Sequence, residues 1–112
     1  MLAPTAIIRG TGMTFGIKIF EVEGATGYYD SNLDNKARKA VELLTTDDFN
    51  FGFLHVKAID DAGHDKNLQM KVSQLEKVDK ALSIIVESLS AASDGDTQYI
   101  LCVTGDHTTP II

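Results

Sequence analysis

A single cysteine, Cys102, leaves the chain without an internal disulfide, so nothing in it points to secretion. Cys102 sits in the apolar run Tyr99-Ile-Leu-Cys-Val103 and is expected to be buried packing rather than a reactive thiol. Tryptophan is absent and aromatics are sparse, at 7%. Basic residues are outnumbered: 10 Lys and Arg stand against 16 Asp and Glu, for a formal net charge of −6. That balance argues against a nucleic-acid binder, which needs clustered Lys and Arg. It does not exclude phosphorylated small molecules, because a divalent cation can supply positive charge locally. No apolar run approaches the ~20 residues that span a bilayer, and MLAPTAIIRG lacks the basic leader and apolar core of a signal peptide. The expectation is a cytoplasmic protein with no membrane partner.

What is present suffices for one core: 112 residues, 44% of them hydrophobic. There is no repeat, low-complexity tract or linker. The abrupt start and the stop after Thr-Thr-Pro-Ile-Ile112 suggest a piece of a domain spanning 1–112. Thr5-Ala-Ile-Ile8 reads as a short buried strand, and 12–20 as either a short helix or a strand. Gly24-Ala-Thr-Gly27 breaks regular structure. From Leu33 to Leu44, Ala37, Ala40, Val41 and Leu44 keep helical spacing, with Ser31 and Asp34 as a cap.

Residues 49–56 read as a strand. The clearest helix runs from Leu68 to Leu89, with the stripe Leu68, Val72, Leu75, Val78, Leu82, Ile85, Leu89 and a cap at Asn67. Residues 98–103 read as a third strand. Apolar strands separated by amphipathic helices predict an α/β fold, a parallel sheet with helices on both faces. Ligands of such sheets bind beyond the carboxyl ends of the strands. Arg9, Lys57, Asp60, His64, Asp106 and His107 all fall there.

Two short segments carry the chemistry: Asp60-Asp-Ala-Gly-His64 and Asp106-His107. Each offers a carboxylate and an imidazole. The small Ala62 and Gly63 let a loop fold back so that Asp60 and His64 converge on one ion. Asp106 and His107 can flank one ion or serve two. Mixed oxygen and imidazole ligation suits manganese, zinc or iron, and magnesium less comfortably. The same residues also read as capping groups and solvated loops, and spacing alone leaves both readings open. Lys57 and Arg9 are candidate phosphate contacts, each with a competing reading as an edge side chain. His55 is expected to be a hydrogen-bonded neighbour rather than a ligand. Thr26, Thr108 and Thr109 are expected to be turn or ligand-shell residues, and Lys71, Lys77 and Lys80 a solvated helix face.

The blocks Gly24-Ala-Thr-Gly27, Phe53-Leu-His-Val-Lys-Ala-Ile-Asp-Asp-Ala-Gly-His-Asp65 and Gly105-Asp-His-Thr-Thr-Pro110 resemble the archaeal-type 2,3-bisphosphoglycerate-independent phosphoglycerate mutases. That family lies within the alkaline phosphatase superfamily, and the resemblance spans almost the whole chain. It implies a glycolytic isomerase that interconverts 3-phosphoglycerate and 2-phosphoglycerate through a phosphoserine, with two divalent cations, Mn2+ or Mg2+. Asp60 and His64 would hold one cation, and Asp106 and His107 the other. Asp60 is preferred over Asp61 because the family's acid lies four residues before the histidine. The resemblance also puts the nucleophilic serine, another aspartate ligand and a further histidine ligand outside these 112 residues. Met13 stands where the family commonly has a basic residue. The expectation is therefore part of a mutase, inactive alone, with exposed strand edges prone to self-association. The alternatives are a metal-dependent phosphatase of the same superfamily, or a non-catalytic α/β module.

Overall fold

The computed structural model describes residues 1–46 and 49–112. Among these residues four helices follow one another: α1 (Ala6–Thr14), α2 (Leu33–Thr46), α3 (Ala58–His64) and α4 (Leu68–Ala92). The expected strand at Thr5–Ile8 is instead the start of α1. Thr5 occupies the N-cap in an extended conformation, and the β-branched pair Ile7-Ile8 is carried into the helix, where local strand preference yields to context. The helix ends in a Schellman motif. Gly16 takes φ +74°, its N–H bonds Met13 O at 3.0 Å, and the Ile17 N–H bonds Gly12 O at 2.9 Å. A glycine meets that left-handed position without strain.

The helix over 33–44 is present and extends to Thr46. Its cap is Asn32, not Ser31: Asn32 Oδ1 accepts from Asn35 N at 2.9 Å, while Ser31 Oγ is buried without a partner. Asn67 caps α4 as expected, accepting from Met70 N at 2.9 Å. The α4 stripe is only half used. Ala81, Ile85 and Leu89 pack with Leu33 and Ala37 of α2 to form the core, flanked by Val41, Val78, Leu54, Val56 and Tyr99. Leu68, Val72 and Leu75 stay exposed, because α2 crosses the C-terminal half of α4 and not its first turns. At that end the buried α4 residue is Gln74, whose amide donates to Tyr29 O at 3.2 Å.

Among the described residues the sheet is reduced to one parallel bridge between Leu2 and Leu54. It is made by Leu2 N to Phe53 O at 2.8 Å and His55 N to Leu2 O at 2.9 Å. The apolar runs at 49–56 and 98–103 therefore form no ladder. A strand requires a neighbour for its backbone groups, and 98–103 meets none. Ile100 is 98% exposed. Cys102, expected inside, is exposed for the same reason. No described helix is long and apolar enough to cross a membrane. What the fold does for the site is specific: the bridge fixes the 53–57 segment, and α3 follows at once and packs on α4.

Candidate metal centre

Asp60 and His64 lie on helix α3, not in a loop. Four residues of helix bring them onto one face, and His64 Nε2 stands 3.4 Å from Asp60 Oδ1. Asp60 falls in the first turn, where the positive end of the helix dipole favours a carboxylate. Gly63 is needed for a reason other than loop flexibility. A Cβ there would sit 2.6 Å from Thr109 O and 2.7 Å from Thr109 Cγ2, so the glycine admits the 104–112 segment against α3.

That close approach joins the two clusters. The Thr109 hydroxyl donates to Asp60 Oδ1 at 2.5 Å and lies 3.4 Å from His107 Nδ1. Lys71 Nζ holds the Thr109 carbonyl at 2.5 Å, so Lys71 is not a merely solvated charge on the outer face of α4. Within the second cluster, His107 Nε2 lies 3.4 Å from Asp106 Oδ2, and Asp106 Oδ1 accepts from His107 N at 2.9 Å. His64, Asp106 and His107 are all open to solvent. Asp60, at 24% side-chain exposure, is the sheltered member.

Lys57 closes the other side of Asp60. Its ammonium bonds Asp60 directly and reaches Asp61 Oδ1 at 3.0 Å. The Lys57 ammonium, and after it the Thr109 hydroxyl, hold the Asp60 carboxyl down to about 2. The same carboxylates push Lys57 upward. Asp61 is thus, like Asp60, an ion-pair partner of Lys57. His55 lacks the hydrogen bond expected of its ring: Nδ1 is buried without a partner. Burial, then the Lys36 charge, hold His55 below its ordinary value, against the opposing pull of Asp106 and Asp60.

Arg9 is not part of this cluster. It lies on α1 rather than at a strand end, its guanidinium bonds Glu21 Oε1 at 2.9 Å, and it faces a cavity that also borders Lys36. Sequence reasoning missed Thr109 as the link, Lys71 as its anchor and Lys36 as a buried charge. Only Lys36 left a signal: it falls one turn after Leu33, on the side of α2 that the apolar spacing marks as internal.

The donor chemistry, one carboxylate oxygen and one imidazole nitrogen in each pair, fits a divalent cation of borderline softness. The His55 Nδ1 is buried without a partner, and the ring feels the charges of Asp106 and Asp60. The count is that of partial sites. Among the described residues no three Asp, Glu, His or Cys side chains gather as one ligand set.

The family model for the metalloenzyme superfamily matches residues 2–112, and the chain belongs to that superfamily. Membership fits the α/β class read from the sequence, although the four helices and single bridge leave its sheet unformed among the described residues. The relatives are more particular. The chain is 38% identical over 105 residues to the 2,3-bisphosphoglycerate-independent phosphoglycerate mutase of Pyrococcus abyssi, covering 94% of this chain and 24% of that protein. To the mutase of the same name from Methanococcus vannielii it is 41% identical over 110 residues, 98% of this chain and 25% of the relative. The solved structure of the PH0037 protein from Pyrococcus horikoshii is similar over 78% of this chain and 26% of that one, with a TM-score of 0.74 and 38% identity. The chain thus spans about a quarter of the length of the curated relatives it matches.

Proposed function

We propose that this chain is the metal-binding portion of a 2,3-bisphosphoglycerate-independent phosphoglycerate mutase, a cytoplasmic glycolytic isomerase that interconverts 3-phosphoglycerate and 2-phosphoglycerate. The observation that carries the reading is the Thr109 hydroxyl set between Asp60 and His107. It links two acid–imidazole pairs far apart in sequence, which supports a shared site. Asp60 with His64, and Asp106 with His107, would each hold one divalent cation, Mn2+ or Mg2+, with Zn2+ also suited to these donors. When bound, such a cation pair neutralises charge on the oxygens of a transferring phosphoryl group.

The chain's own residues have defined tasks in this reading. Asp60 is kept ionised by Lys57 and Thr109, so it offers a negative ligand throughout the physiological range. Lys57, bonded to Asp60 and Asp61, would be free to meet a phosphate oxygen if Asp60 held a cation. His64, Asp106 and His107 are open to solvent and can turn toward an ion at small cost. In this reading Thr109 links the two pairs, its carbonyl and its hydroxyl both being engaged, and the nucleophilic serine would lie outside these residues.

Two measurements test the reading. Calorimetric titration of the chain with Mn2+ is expected to show weak saturable binding that Asp60→Asn and Asp106→Asn each reduce. The 112-residue chain is expected to give no measurable conversion of 3-phosphoglycerate with Mn2+ present. Substantial metal-dependent turnover by this chain alone would overturn the assignment of the nucleophile to another segment. Release of free phosphate instead of the isomer would favour a phosphatase.

A further inference from the structure

Lys36 is the most deeply buried charge among the described residues. It lies in the second turn of α2 and is 2% exposed. Its ammonium donates to the His55 carbonyl, which uses one of three N–H groups. Among the described residues no carboxylate pairs with it. Removing an ammonium from water without a counter-charge costs several kcal/mol. Burial accordingly pulls Lys36 down to about 8.

Beside it is a cavity of about 190 Å3 lined by Leu2, Pro4, Arg9, Phe20, Glu21 and Lys36, among others. Arg9 brings a second permanent cation. Its one carboxylate partner, Glu21, is itself 82% exposed and accepts a single bond at 2.9 Å, so most of the guanidinium donors remain free for another acceptor. With Arg9 and Lys36 positive and Glu21 negative, the wall carries one positive charge in excess. Leu2 and Phe20 supply an apolar surround in which a charge-assisted hydrogen bond is stronger than in water.

We propose that this cavity is a binding site for a small oxyanion, a phosphate or carboxylate group, held by Arg9 and Lys36. The anion supplies the counter-charge that Lys36 lacks and takes the guanidinium donors that Glu21 leaves unused. A group of this kind, attached to a body of a few heavy atoms, matches the volume. None of Asp60, His64, Asp106 and His107 lines the cavity, so the site does not depend on the proposed metal ligands.

The test is titration of the metal-free chain with inorganic phosphate and, separately, with acetate, in a buffer without other oxyanions. Saturable binding of at least one anion is expected, and the comparison of the two identifies the preferred head group. Arg9→Gln and Lys36→Met should each weaken it by about tenfold to a hundredfold, the loss of one charged hydrogen bond. Glu21→Gln should tighten it, and Lys80→Gln, which removes a surface charge elsewhere, should leave it unchanged. If Lys36→Met does not fold, Arg9→Gln and Glu21→Gln still decide. Absence of saturable binding of either anion, or binding that Arg9→Gln and Glu21→Gln do not alter, overturns the proposal.

Discussion

A methyl group on Gly63 would lie 2.6 Å from the carbonyl oxygen of Thr109. The atom it would strike is backbone, so the 104–112 segment must move. Gly63→Ala is expected to cost about 1–3 kcal/mol, the range for overpacking a filled position, and to separate His107 from Asp60. Thermal unfolding reads the first effect. Loss of nuclear Overhauser contacts between Thr109 and Asp60, with α3 still helical, reads the second.

The Asp60 carboxyl titrates at about 2, with Lys57 the larger cause and Thr109 the smaller. Its folded value lies below its unfolded one, so the stabilisation is present above the unfolded value near 3.8 and is lost as pH falls toward 2. Carbon-13 titration of the side-chain carboxyl should show Asp60 rising toward its ordinary value in Lys57→Met, and by less in Thr109→Val. Equal shifts, or none, would contradict the arrangement.

Lys36 is shifted in the same direction for the opposite reason, since burial penalises its charged form where partners favour that of Asp60. Its folded value is about 8 against an ordinary 10.5, so the unfolded chain binds the extra proton between those limits. Stability should rise as pH climbs from about 8 to 10.5. The penalty present below pH 8 is on the order of 3 kcal/mol. Because other groups titrate in this window, the comparison is with Lys36→Met, whose stability relative to wild type should decline across it. Denaturant unfolding at pH 7 and pH 10 measures this difference.

Cys102 is exposed within a segment that has no strand partner. A soluble thiol reagent should therefore modify it in the folded chain at a rate close to that in denaturant. Ile85, in the α2–α4 core, gives the contrasting result: Ile85→Ala should lower stability by about 2–5 kcal/mol.

What the sequence disclosed about this molecule follows from how far each determinant reaches. The start of α4 is announced by Asn67 and the length of α2 by apolar spacing, because caps and helical periodicity are written within a few residues. Asp60 and His64 could be paired because they stand only four residues apart, although a helical turn joins them and not the loop expected. The strands at 5–8, 49–56 and 98–103 failed as elements for the complementary reason. A strand is defined by its neighbour, and among the described residues only Leu2 and Leu54 find one another. Thr5–Ile8, with its β-branched composition, went to helix once no neighbour held it extended. The contact that unites the site lies beyond local reading: Thr109 meets Asp60 across 49 residues, through a gap that only Gly63 leaves open. Lys36 marks the remaining gap, since a charge on an internal helix face is visible in the spacing but its cavity is not.

The account rests on Asp60, His64, Asp106 and His107 acting together on divalent cations. Nitrogen-15 spectra of the histidine rings during addition of Mn2+ test this directly, because the paramagnetic ion broadens nearby resonances. The expected result is that His64 and His107 broaden together at substoichiometric metal, and that Asp60→Asn or Asp106→Asn weakens the effect at the matching ring. Broadening of neither ring, or broadening that both substitutions leave untouched, would contradict it.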